Sequence, residues 1–281
     1  MRGILTTITV LALPGAVAAQ STLGADAEAV RQTVLDYATG ARSANGDLIA
    51  RTVHPELTNV MLASYRQTGK QFLRHAGASY VVEAVRGGMP AGESEEPPEI
   101  IVYDVADDMA AAKLTSPRAA SYLQLVRIHG TWKIINALRV ARSGGSAGSM
   151  SAAEREDAEA AITRAALDYI DGSYSGDAER MTRALHPELT KVLLTRHPRT
   201  DQQFLVPIGA TDLIEGTRAR LGLLEESARH IDVTVYDLGY GTACAKVVSA
   251  SYVDHIQLAN IDGGWKIVNV LWVPNPSAPT G

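Results

Sequence analysis

The chain has 281 residues, 46% of them hydrophobic and 20% charged, and a formal net charge of −5. That length allows two ordinary domains, each with its own core, and the composition is neither that of a disordered chain nor of a membrane-immersed one. A mildly acidic balance argues against nucleic-acid binding, which needs a basic surface to neutralise phosphates.

Residues 1–19 read as a signal peptide: Arg2 is the basic start, Ile4 to Leu13 the apolar run, Pro14-Gly15 a break, and Ala16-Val17-Ala18-Ala19 the small residues before Gln20. The apolar run is shorter than the roughly 20 residues a spanning helix needs, so no membrane span is expected once it is removed; the alternative is an uncleaved anchor. Removal of Arg2 leaves a mature chain of about −6, expected in the periplasm or outside the cell. Cys244, the only cysteine, has no internal partner and reads as a small buried hydrophobe.

The rest of the chain matches itself at a shift of about 132 residues. His54-Pro-Glu-Leu-Thr58 falls on His186-Pro-Glu-Leu-Thr190, and Phe72-Leu73 on Phe204-Leu205. With one more residue of shift, Val102-Tyr-Asp104 falls on Val235-Tyr-Asp237, Gln124 on Gln257, Trp132-Lys-Ile134 on Trp265-Lys-Ile267 and Asn136 on Asn269. The sequence therefore divides into domain 1 (24–142), a Gly/Ser linker (143–150), domain 2 (151–273) and a tail (274–281) expected to be disordered.

In the second copy Ser151-Ala-Ala-Glu154 is a capping box opening a helix. Ala158, Ile162, Ala165, Tyr169 and Ile170 then form one apolar stripe at a 3.6-residue period. Gly176-Asp177 ends that helix and caps a short second one, which runs through Leu185 and is stopped at His186-Pro187. Strands are predicted over 189–195 and, briefly, 203–206, with a third helix over 211–221. Strands at about 231–236, 243–248, 252–259 and 265–273 follow, the last two joined by the turn Asp262-Gly263-Gly264. The expected fold class is α+β, two tandem cones, each of about three helices packed on a curved antiparallel sheet.

Both copies, over essentially their whole length, resemble the nuclear transport factor 2-like (cystatin-like) superfamily, within it the group called putative lumazine-binding. The resemblance rests on Asp168-Tyr-Ile-Asp-Gly172, Gly176-Asp177, His186-Pro187, Tyr252-Val-Asp-His-Ile256 and, most clearly, Ile261-Asp-Gly-Gly-Trp-Lys-Ile-Val-Asn269. The first copy departs from the pattern: Ala38-Thr-Gly40 replaces Ile-Asp-Gly, and Ser121 stands where Asp254 does. The resemblance implies a cone with an open mouth, in a superfamily whose sheets often pair to form dimers, so the two domains could form an intramolecular pseudo-dimer. That superfamily holds isomerases, cyclases, dehydratases and non-catalytic proteins, and fold alone does not choose among them.

Polar residues kept in both copies point to the fold, and those on the inner face of one copy only point to a site. Asp254 shares a strand face with Tyr252, Ile256 and Leu258, and its counterpart is Ser121. A carboxylate facing an apolar cavity could serve as a general acid or base near neutral pH, which makes Asp254 the tentative catalytic residue. The alternatives are an ion pair with a nearby basic side chain, or a register shifted by one residue that turns it to solvent. Tyr169, His186, Tyr252 and Asp254 are the expected ligand-binding residues. His54 and His186, kept in both copies, also read as partly cationic caps at helix C-termini. His255 should face outward, Trp132 and Trp265, like Asn136 and Asn269, should be packing and strand-end positions, and Trp272 could meet the linker, the other domain or a ligand. The seven histidines show no metal-ligand spacing, so no metal and no cofactor is implied. The leading expectation is a protein that binds a small, partly apolar molecule in the second domain; a cofactor-independent proton-transfer enzyme or a non-catalytic interaction module is the alternative.

Overall fold

The computed structural model describes residues 14–88, 96–142 and 150–278, with side chains from residue 24 onward. The apolar run Ile4–Leu13 and the Gly/Ser segment 143–149 lie outside the described residues. In domain 1 the elements are α1 (Pro14–Arg42), α2 (Gly46–Thr52), β1 (Val53–Ser64), β2 (Gln71–Ala76), α3 (Ala78–Arg86), β3 (Glu99–Ala106), β4 (Met109–Ser116), β5 (Ala119–Ile128) and β6 (Thr131–Ala141). Domain 2 repeats this order as α4 (Ala152–Ser175), α5 (Ala178–Ala184), β7 (Leu185–Arg196), β8 (Gln203–Gly209), α6 (Ala210–Arg218), a short 3₁₀ turn, β9 (Asp232–Gly239), β10 (Thr242–Val248), β11 (Tyr252–Ile261) and β12 (Gly264–Pro274). Helix α1 begins at Pro14, where the sequence suggested a break, and runs on through the small residues before Gln20.

Each sheet has six strands, in the orders β2-β1-β6-β5-β4-β3 and β8-β7-β12-β11-β10-β9. All neighbours are antiparallel except β1 with β6 and β7 with β12, which are parallel. The sheets are therefore mixed rather than purely antiparallel. The parallel pair joins the first and last strands of each domain, a non-local pairing that no hairpin turn announces.

Helix α4 forms because both its ends are satisfied. Ser151 and Glu154 close a reciprocal capping box, and Gly176, at φ 70°, takes the left-handed position that lets the chain leave the helix. Asp177 then accepts hydrogen bonds from the Glu179 and Arg180 N–H groups and starts α5. The family-like Asp-Gly pair has a packing role here. Asp171 bonds Arg180 and Arg229, while a Cβ on Gly172 would stand 3.2 Å from the Arg180 Cβ, so the glycine lets α5 approach α4. The stripe Ile162, Ala165, Ala166, Tyr169 and Ile170 packs into one core with Ala243, Ala245, Ile256, Leu258 and Val270 of the sheet. Each large apolar side chain buried this way contributes about 1.5–3 kcal/mol.

Several boundaries move. Strand β8 runs to Gly209, and α6 occupies 210–218 rather than 211–221. Leu221, expected on its apolar face, lies beyond it and is 82% exposed. The tail is ordered further than expected: β12 includes Pro274, and Asn275 donates from its side chain to the Ser249 carbonyl and from its backbone to that of Ser251.

The outer faces of the two sheets pack on each other. Met109, Val126 and Ile135 of domain 1 meet Val192, Leu194, Leu205, Val253 and Leu271 of domain 2. Val60, Leu62, Leu73 and Leu138 meet Ala259 and Val268. Between these apolar patches the polar contacts are reciprocal. Lys246 donates to Asp104 at 2.8 Å, and the repeat-related pair, Lys113 with Asp237, mirrors it. Tyr103 stacks on Tyr236 at 5.6 Å. Gln124 donates to the His255 carbonyl, Gln257 to that of Tyr122, and Asn136 and Asn269 donate to the Gln124 and Gln257 side chains. The two asparagines are thus fully buried mid-strand residues, not strand-end positions. His255 does project from the outer side of its sheet, as alternation requires. That side is covered, so its ring is buried and bonds Asp104 at 2.8 Å. Alternation tells one face from the other but not which faces meet water.

Candidate functional site

Four of domain 2's elements send side chains to one point on the inner face. Tyr169 comes from the buried stripe of α4, Lys191 from β7, Tyr252 and Asp254 from β11, and Trp272 from β12. Asp254 and Trp272 are directly opposed across the β11–β12 ladder, and the parallel β7–β12 pairing sets Lys191 beside Val270. Lys191 alternates with Val192 and Leu194, which turn to the other domain, so the lysine turns inward.

Asp254 is fully buried, so the inward reading of its strand holds. It is not a lone carboxylate. Its Oδ1 accepts from the Tyr169 hydroxyl at 2.8 Å and from Lys191 Nζ at 3.1 Å, and Lys191 also donates to the Tyr169 oxygen. The ion-pair alternative considered for Asp254 is therefore the arrangement present. The Lys191 ammonium also lies 4.3 Å from the centroid of Trp272, 5.1 Å from Tyr169 and 5.6 Å from Tyr252. Cation–π attraction strengthens when water is excluded, so the aromatic wall helps retain a buried charge. Burial pushes the Lys191 ammonium below its ordinary range, with Asp254 opposing the shift. Burial, and then the neighbouring carboxylate, push the Tyr169 hydroxyl well up, so it stays protonated and donates.

Two polar atoms here are buried without a hydrogen-bond partner: Asp254 Oδ2 and Trp272 Nε1. Such groups cost about 1–3 kcal/mol each when left unmet. A cavity of about 240 Å³ adjoins the cluster, with Tyr169, Lys191, Tyr252 and Trp272 on one side and Leu213, Thr217 and Leu221 of the α6 region on the other. Tyr252 is held in place by edge-on contact with Trp272 at 5.1 Å and by stacking on Tyr174, whose hydroxyl bonds Ser249.

The structure thus brings Tyr169, Tyr252 and Asp254 together, the tyrosines on the cavity wall and Asp254 bonded to Tyr169 and Lys191 without lining it, and leaves His186 out. His186 is the second residue of β7, is not among the residues lining the cavity, and its Nδ1 accepts from the Glu188 N–H at 3.1 Å. The cationic-cap expectation also fails: α5 has ended before it, and burial lowers the ring's pKa. His54 makes the same turn with Glu56, and its pKa is lowered for the same reason. Cys244 is buried, and burial pushes its thiol well up, away from reactivity. Sequence reasoning missed Lys191. The available signal was a lysine on the apolar alternation of Leu189, Lys191 and Leu193, where the first copy has Asn59.

Helices packed on a mixed six-stranded sheet, in two tandem copies, make this a double-domain protein of the α+β class. The sequence profile described as putative lumazine-binding matches residues 25–138 and again 157–273, and the chain belongs to that family. Similar solved structures include a nuclear transport factor 2-like protein of unknown function from Methylobacillus flagellatus KT, 22% identical over 47% of this chain and 99% of that one, TM-score 0.35. Another, from Silicibacter pomeroyi DSS-3, is 16% identical over 43% of this chain and 98% of that one, TM-score 0.37. A protein of unknown function with a cystatin-like fold from Nostoc punctiforme PCC 73102 is 14% identical over 46% and 97%, TM-score 0.33. No curated protein matches the chain.

Proposed function

We propose that the second domain binds a small, planar, partly apolar molecule in the cavity beside Lys191, without catalysing its conversion. The observation that carries this reading is the Tyr169–Lys191–Asp254 cluster set against the aromatic wall of Tyr252 and Trp272. Lys191 and Asp254 balance each other's charge, and Asp212, the carboxylate in the cavity lining, is engaged by the Gly209 N–H, so a neutral ligand suits the cavity better than an anion. Its aromatic side suits a flat ring, and the unmet Trp272 Nε1 on that side suits a ring with an acceptor group. Neutral nitrogen heterocycles have this chemistry, and lumazine, which the family's name suggests, is the first probe. Because Asp254 is engaged by two donors on one oxygen, its part is to hold Lys191 and Tyr169 rather than to exchange protons.

Thermal-shift measurements on the full chain test this directly. A ligand at a hundred times its Kd adds about 2.7 kcal/mol, which raises the Tm of a protein this size by roughly 5–10 °C. Lumazine or a related heterocycle should give such a shift, and Tyr252→Ala should abolish it. Flat melting curves across neutral heterocycles, or shifts that survive Tyr252→Ala, would rule the site out.

We further propose that the chain is exported, on the strength of Arg2, the apolar run and the small residues before Gln20. N-terminal sequencing of protein from the periplasmic fraction should read Gln20 first; an intact Met1 or Arg2 there would contradict cleavage.

A further inference from the structure

We propose that the mouth of the first domain is a separate binding site, built for a small carboxylate with a short apolar body. The two domains share a scaffold but differ at four positions of the site. Where domain 2 places Lys191, Tyr252, Asp254 and Trp272, domain 1 places Asn59, Ala119, Ser121 and Arg139. Only the helix tyrosine, Tyr37 for Tyr169, is common to both. The exchange removes the buried acid and puts a cation where an indole stands.

Ser121 and Arg139 are directly opposed across the β5–β6 ladder, as Asp254 and Trp272 are across β11–β12. Both line a cavity of about 90 Å³ with Tyr37, Arg42 and Arg118. Three guanidinium groups and one carboxylate, that of Glu96, line this space, so it carries positive charge. A fourth arginine, Arg142, is already committed to the Ser116 carbonyl and the Tyr240 hydroxyl. Arg139 is half-buried, where screening by water is weakened and its planar fork can grip a carboxylate with two hydrogen bonds. The hydroxyls of Tyr37 and Ser121 supply further donors. Leu114 and Ala119 give the space an apolar side, so a carbon body can follow the charged end inward. At roughly 30 Å³ per displaced water, the cavity takes a carboxylate and a few carbons, and a larger ligand would project through the open mouth.

Benzoate and its uncharged analogue benzamide, titrated calorimetrically into the full chain, test the proposal. Benzoate should bind and benzamide should not, and raising the salt should weaken benzoate binding. Arg139→Gln should weaken it tenfold or more. Ser121→Asp places a carboxylate opposite Arg139, so it should abolish binding without lowering the Tm; this second variant decides the matter if Arg139→Gln does not fold. Trp272→Leu, in the other domain, should leave benzoate binding unchanged. Equal binding of benzamide, retention of benzoate by Ser121→Asp, or its loss in Trp272→Leu would each overturn the assignment, the last by placing the anion in the second cone.

Discussion

The two cones present the same backbone to two different chemistries. In the second, a buried lysine and aspartate neutralise each other, with a protonated tyrosine bonded to both, beneath an aromatic wall. In the first, the acid has become Ser121 and the indole Arg139, and the cavity wall carries three guanidinium groups against one carboxylate. Duplication explains how this is tolerated. Each domain's stability comes from its own helix stripe and from the shared sheet interface, so the inner polar positions can diverge independently.

The largest expected effect tests whether that cluster is a structural necessity of domain 2 alone. Asp254→Asn leaves a buried ammonium without its counter-ion and should cost about 3–5 kcal/mol in urea unfolding followed by circular dichroism. Ser121→Ala, at the matching position, should change stability by no more than about 0.5 kcal/mol. Similar losses at both positions would show that the cones are not chemically distinct. Next comes the shared interface. Gln257→Leu strips a donor from the Tyr122 carbonyl and an acceptor from Asn269, and should cost about 2 kcal/mol by the same measurement. If Gln124→Leu costs much the same, the interface is energetically as symmetric as its hydrogen bonds.

Acid should loosen the interface before the helix cores. Burial alone would raise the Asp104 carboxyl, but hydrogen bonds from His255 and Lys246 overcome it and hold the group well below the usual carboxylate range. Asp237 is lowered in the same way, with Lys113 and Tyr122 opposing its burial. A carboxyl depressed in the folded state stabilises the fold above its unfolded value of about 3.9, and that contribution disappears as the pH falls below it. Urea midpoints should therefore fall progressively as the pH drops below about 4, and the Asp104→Asn variant should show a shallower drop; parallel curves would refute the linkage. The smallest effect is expected from Trp272→Phe, which weakens one cation–π contact by about 1 kcal/mol or less. A much larger loss would mean that Trp272 is a packing residue rather than a cavity wall.

Much of the fold was legible because its signals are local. The capping box at Ser151, the Gly176-Asp177 break, the apolar stripe through Tyr169 and the turn at Asp262 each depend on neighbours a few residues away. The inner face of β11 was legible too, since strand alternation and a charged residue at Asp254 are visible in the sequence. Its partner was not. Lys191 lies 63 residues earlier, and only the parallel β7–β12 pairing brings it across. His186 shows the opposite error: a histidine beside a family-like Pro drew attention, although its ring is occupied by the backbone two residues on.

By itself the sequence determined that there are two copies of one α+β domain, where α4 starts and stops, and which side of β11 carries Asp254. Tertiary structure alone decided that the outer sheet faces are covered, that Asp254 is ion-paired, and that the two cones differ in charge. The physical reason is range. Caps, turns and periodicity act within a turn or two of the chain, whereas ion pairing, burial and cavity charge depend on strands that meet only once the sheet has closed.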